Sequence, residues 1–164
     1  MGKFLPFLKD TDLFFNLTNS QLEMVESICV EQSFKKGEVI VVENTPGLEL
    51  FLVLEGEVEV VVNPGLVSPD PKMLASPSEI KKMRREQTFG EIAIVDEGLR
   101  TASVRAASAK TRVLRIDRAR LLMLCGSIPE MGYRVMHNLA VDLALKIRGA
   151  DLTIREALLY KKAH

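Results

Sequence analysis

A chain of 164 residues with 47% hydrophobic side chains and a mean hydropathy of +0.10 has material for one domain with a sizeable core. Its 22 Lys and Arg balance 22 Asp and Glu, so it lacks the global positive field of a nucleic-acid-binding domain, and no apolar run approaches the ~20 residues that cross a bilayer. The start MGKFLPFLKD has no signal-peptide core, Pro6 stands where a myristoylation signal wants Ser or Thr, and Cys29 and Cys125, outside any CxxC motif, read as buried thiols of a reducing, cytoplasmic compartment.

Residues 10–30 read as a small helical unit. Thr18 is placed to cap a helix, with Gln21 three residues later as its capping-box partner, and Leu22, Val25, Ile28 and Cys29 form an apolar stripe at helical spacing. The texture changes at Gln32. Residues 34–38 read as strand, turn and strand. Segments 38–42 and 50–55 are β-rich around a turn at Pro46-Gly47, and Glu55-Gly56-Glu57 reverses the chain into a half-buried strand at 58–62. Residues 63–82 hold Pro64, Pro69, Pro71 and Pro77 with Gly65 and several serines, which predicts an inserted loop. The basic run Lys81-Lys82-Met83-Arg84-Arg85 reads as a solvated face.

Segments 102–106 and 112–116 read as two further strands. Asp117 caps a helix bearing Leu121, Leu122 and Leu124, residues 126–129 break it, and Pro129 suits the first turn of another. From Glu130 to about Tyr160 one long helix is predicted. Met136, Ala140, Leu143, Ile147, Ala150, Ile154 and Ala157 step alternately by four and three, a heptad-like seam able to pack on the strands or on a second chain. Gly149 weakens that helix by roughly 1 kcal/mol relative to alanine. Closely spaced strands followed by helices suggest a jelly roll or a related β-sandwich; the pattern alone does not choose between them.

The chemistry concentrates in residues 89–106, FGEIAIVDEGLRTASVRA. Gly90 lets a ligand approach the backbone, and a short helical turn over 91–95 would present free N–H groups. Glu91 can accept hydrogen bonds from a sugar hydroxyl. Arg100 supplies a permanent planar cation that can hold two phosphate oxygens, with the Thr101 hydroxyl beside it. Ala93 and Ala102 leave room. Taken singly each has a bland reading, and Glu91 with Arg100 as a surface ion pair would be worth roughly 0–1 kcal/mol.

Together, Phe89-Gly90-Glu91-Ile92-Ala93-Ile94 and Arg100-Thr101-Ala102-Ser103-Val104-Arg105-Ala106 resemble the phosphate-binding cassette of the cyclic nucleotide-binding domain family, which includes the bacterial catabolite activator, protein kinase A regulatory subunits and cyclic nucleotide-gated channels. Residues 34–40 and 52–58 resemble two further elements of that family, and the likeness covers about residues 10–155. It implies a mainly β fold, an antiparallel jelly roll with an N-terminal helical unit and C-terminal helices. It further implies one domain over 1–164: a helical unit at 10–31, a β-roll at 32–117 carrying the cassette at 89–106 and the inserted loop at 63–82, and hinge and lid helices at 118–160.

By the same resemblance the ligand is cAMP or cGMP. Arg100 neutralises the cyclic phosphate, Glu91 accepts from the ribose 2′-hydroxyl, Phe89, Gly90, Ile92, Ala93 and Ala102 line the cassette, and Thr101 faces phosphate and purine. Register with the catabolite activator brings Ala150 and Asp151 near the base, where Asp151 would accept from guanine. The chain departs from the family pattern in having Leu99 where proline often precedes the arginine, Arg85-Glu86-Gln87-Thr88 before Phe89, and a longer Pro-rich loop.

Three uses compete: a free-standing sensor with a helical lid, part of a transcription regulator or channel, and an enzyme. A degenerate domain used for protein–protein contact is a further alternative. With only His137 and His164, both at the C-terminal end, no metal centre and no catalysis are expected. The catabolite activator adds a DNA-binding helix-turn-helix after its long helix whereas this sequence stops at His164, so unless the sequence is a fragment direct DNA binding is not expected; nor, for want of a long apolar run, is membrane insertion, whereas a homodimer through the last helix and an unnamed downstream protein are.

Overall fold

The capping box at Thr18 forms as its spacing predicts. The protein is described here by a computed structural model covering residues 2–63 and 78–162. Gln21 N–H donates to Thr18 Oγ1 (3.3 Å) and Thr18 N–H to Gln21 Oε1 (2.9 Å). This opens helix α2 (Asn19–Ser27). Ahead of it lie helix α1 (Leu5–Asp10), with proline in its first turn, and a 3-10 turn at Asp12–Phe14. The helical unit therefore starts earlier than the pattern suggested. It also ends earlier. Cys29 is not in the helix but opens strand β1 (Cys29–Phe34), which runs antiparallel to the strand at 111–117, Cys29 opposite Ile116. The short run Ile-Cys-Val fits either period, and the available sheet edge decides it.

The remaining strands are β2 (Val39–Val41), β3 (Glu49–Glu55), β4 (Val58–Val62), β5 (Ser78–Met83), β6 (Thr88–Phe89), β7 (Ser103–Ala106) and β8 (Thr111–Asp117). They form two four-stranded sheets, ordered β1-β8-β3-β6 and β2-β7-β4-β5, and the paired strands are antiparallel. The fold is the expected antiparallel jelly roll with flanking helices. The Pro-rich segment falls mostly on 64–77, outside the described residues. Its last part is not loop: residues 78–82 belong to β5, which pairs with β4 from Val62↔Ser78 to Val58↔Met83. The sequence SEIKKM carries too many charges to announce a strand, yet an edge strand tolerates them and satisfies the free edge of β4.

Sheet β1-β8-β3-β6 is covered on both faces, which is why β3 reads as a nearly continuous apolar run. Phe51, Val53 and Val113 join Val41, Val58, Met83, Phe89 and Val104 between the sheets. Leu50, Leu52, Leu114 and Ile116 face the other way, into a cluster with Leu8, Phe14, Leu22, Leu121, Met131 and Leu139 from the helices. Those helices include α4 (Arg118–Ser127), capped by Asp117, whose side chain accepts from Arg120 N–H, and α5 (Pro129–Lys162). The packed stripe of α5 is Met131, Val135 and Leu139, one position from the heptad-like seam. Met136 and Leu143 only flank the core, while Ile147 and Ile154 are exposed. Among the described residues no helix is long and apolar enough to cross a membrane.

Candidate functional site

The turn between Glu91 and Arg100 is built from three local devices. Helix α3 (Ile92–Asp96) follows Glu91 and buries Ala93 and Ile94. The chain then turns through Glu97 in a left-handed conformation, with Gly98 N–H donating to Asp96 Oδ1 (2.9 Å). Finally it lies along the 44–47 loop: Arg100 N–H donates to Thr45 O (2.8 Å) and Asn44 N–H to Arg100 O (2.9 Å). Strand β7 begins just beyond, paired with β2 and β4.

Glu91 and Arg100 are buried, 6% and 7% exposed, and both line one cavity of about 1010 Å³. Burial depresses the Arg100 guanidinium from its ordinary value, opposed by Glu49 and Glu91, and an arginine stays cationic through such a shift. Its Nη2 donates to Glu49 Oε2 (3.2 Å) and its Nη1 to Gly90 O (3.4 Å), while the guanidinium stands 5.9 Å from the Phe51 ring. Two glycines make this placement possible. Gly90 has φ +76°, and a Cβ there would lie 2.5 Å from Arg100 Nη1; a Cβ at Gly47 would lie 2.9 Å from Arg100 Nε.

Glu91 is met from above by α5. Lys146 Nζ donates to Glu91 Oε1 (2.8 Å) and to Thr88 O (3.4 Å), and pairs with Asp142 Oδ2 at 2.8 Å. Burial alone would lower the Lys146 pKa, but Glu91 and then Asp142 outweigh it and hold the ammonium above its ordinary value. The pair is therefore fully formed at neutral pH and lost only as pH rises through that raised value.

Most of the sequence-predicted residues come together. Phe89, Gly90, Glu91, Ile92, Ala93, Arg100, Thr101 and Ala102 all line the cavity, although Phe89 also stacks on Phe51 (centroids 5.0 Å apart) as a core residue. Asp151 does not: it is exposed, and its neighbours Gly149, Ala150 and Thr153 line the cavity instead. The helical period carries positions 142, 146, 149 and 153 along one face and turns 151 away from it. The far wall is apolar, with Val41, Val60, Met83 and Val104 from the second sheet. Among the described residues no cluster of His, Cys, Asp and Glu is gathered to hold a metal ion.

Sequence reasoning missed Glu49, Gly47 and Lys146. Lys146 with Asp142 is an i,i+4 pair that ordinarily marks a solvated helix face, so it carried no signal. Glu49 stands at the start of a strand, and nothing local ties it to a residue 51 positions away.

The site thus offers a buried cation, a buried carboxylate nearby and an apolar wall facing a helix, a set suited to a small anionic ligand with a hydroxyl and a flat apolar part. Residues 31–127 match the profile described as the cyclic nucleotide-binding domain. The chain is 29% identical over 147 residues to the cyclic AMP receptor protein of Thermus thermophilus, covering 90% of this chain and 62% of that one. It is 27% identical over 140 residues to cGMP-dependent protein kinase isozyme 1 of Drosophila melanogaster, covering 85% of this chain and 17% of that one. Its fold superposes on the crystal structure of Thermus thermophilus catabolite activator protein with a TM-score of 0.72 at 27% identity, covering 88% of this chain and 62% of that one. The chain thus spans less than two thirds of these proteins. The matched region holds Glu91 and Arg100 and all of both sheets but the first two residues of β1, and on this ground the chain belongs to the cyclic nucleotide-binding domain family.

Proposed function

We propose that this protein is a non-enzymatic sensor module for cAMP or cGMP, in which Arg100 holds the cyclic phosphate and Glu91 accepts from the ribose 2′-hydroxyl. The observation that carries the reading is the burial of both side chains in the wall of one cavity. Arg100 is paired with Glu49 and Glu91 with Lys146, yet both side chains line the same cavity, so one ligand can meet the two together. Val60 and Met83 on one side and Ala150 and Thr153 on the other leave a largely apolar slot for the purine. Calorimetric titration of the protein with each nucleotide tests this directly. Saturable one-to-one heat is expected with at least one of them; no heat from either at millimolar concentration sinks the sensor reading.

The helix α5 acts in this proposal as a lid, with Lys146 as its contact to the cassette. A nucleotide that engages Glu91 then changes what Lys146 meets, and the helix responds. Nucleotide is expected to slow amide exchange across residues 142–154 in the wild type. In Lys146→Met that protection should largely vanish even where the nucleotide still binds. Unchanged protection in the variant would remove Lys146 from the lid mechanism.

The distal part of α5 supports a second element, a homodimer. Leu145, Leu152 and Leu159, seven residues apart and so along one side of α5, are 59–69% exposed beyond its last buried residue, Leu139, and such a row is costly to leave in water. A monomer in sedimentation at high concentration, with and without nucleotide, would argue against it.

A further inference from the structure

We propose that Arg118, the first residue of α4, is a positioning residue for the site: it holds the turn between Glu91 and Arg100 in the shape that aims both side chains into the cavity. This rests on the nucleotide reading above. Arg118 does not line the cavity and acts through the backbone it grips.

The turn needs such a grip. Glu97 is a non-glycine residue at φ +54°, although Gly98 follows it. Left-handed backbone without glycine is uncommon and unfavourable unless the surroundings impose it. Here Arg118 imposes it. Its Nη1 donates to Glu97 Oε1 (2.7 Å), and its Nε donates to Ile94 O (3.3 Å), a carbonyl that α3 is too short to satisfy. Its own backbone N–H donates to Leu48 O (2.9 Å), next to the Glu49 that pairs with Arg100. One residue therefore touches the helix after Glu91, the turn before Arg100 and the residue leading into the strand whose Glu49 pairs with Arg100.

A merely solvated ion pair does not describe this contact. The Arg118 side chain is only 17% exposed, against 67% for Glu97, and the carbonyl bond would be lost along with the pair. The planar fork matters, because a lysine cannot reach a carbonyl and a carboxylate with fixed geometry at once. Since the far end of the turn is fixed along residues 44–47, slack at Glu97 and Ile94 would shift Glu91 against Arg100.

The test compares wild type, Arg118→Ala, Arg118→Lys, Glu97→Asn and the double variant Glu97→Asn/Arg118→Ala. The readouts are titration with the nucleotide that the wild type binds, and hydrogen exchange in the free protein. Arg118→Ala should weaken binding by about five- to tenfold and speed exchange across residues 94–100, and Arg118→Lys should recover only part of the loss. Asparagine adopts the left-handed conformation more readily and removes only the ion pair, so in its background the Arg118→Ala loss should shrink to about twofold. Unchanged binding and exchange in Arg118→Ala would overturn the inference. So would equal losses in both backgrounds, since a general structural defect would not depend on residue 97. If the wild type binds neither nucleotide, the ligand reading fails, and the exchange comparison alone decides whether Arg118 orders the turn.

Discussion

Arg100→Ala is expected to weaken cyclic nucleotide binding by ten- to a hundredfold, corresponding to roughly 1.5–3 kcal/mol for a charge-assisted contact. The measurement is titration calorimetry beside a wild-type control, with a thermal melt to show that the variant is folded. The fold should survive. Glu49, which loses Arg100, retains Arg115 at 3.6 Å, and the space vacated lies between Gly47 and Gly90 at the edge of an open cavity. Arg100→Lys should fall in between: it keeps the charge but not a fork able to meet Glu49 and a phosphate together. Binding by Arg100→Ala as tight as wild type would mean that the anion sits elsewhere.

Phe14→Ala is expected to lower stability by about 3–5 kcal/mol, read as a lower midpoint in urea denaturation with a similar slope. Phe14 is fully buried in the cluster that joins the N-terminal unit to Leu50, Leu52, Leu114 and Ile116 of the roll and to Met131 and Leu139 of α5. A cavity there cannot collapse easily, because strands and helices wall it on several sides. The same region also carries Asn138 Nδ2, which donates to Leu13 O (3.1 Å) and Phe15 O (2.9 Å), tying α5 to the 3-10 turn. The variant should therefore loosen the root of the lid as well as the core. A loss below about 1 kcal/mol would show that the N-terminal unit docks only weakly.

The local readings held wherever a feature is decided within a few residues. The capping box at Thr18, the cap at Asp117, the proline at the start of α5 and the apolar runs of β3 and β8 all follow from spacing and side-chain chemistry. Readings slipped where a segment's state depends on what lies beside it. Cys29 joined a strand because β8 offered a partner edge, and residues 78–82 became strand against β4. The seam on α5 was off by one position because the partners that select its buried stripe, α4 and the 3-10 turn among them, are set by the tertiary fold.

What the sequence determined by itself is a run of closely spaced strands followed by helices, and the cassette that holds Glu91 and Arg100, whose family resemblance in turn implied the jelly roll. Those features rest on local periodicity and on residue types that nothing else in the chain duplicates. Only the tertiary structure decided who meets them. Glu49, Lys146 and Arg118 lie 51, 55 and 21 positions from the charged groups they pair with, and an ion pair across that separation leaves no periodic trace. It exists because two sheets and one long helix close over the same cavity.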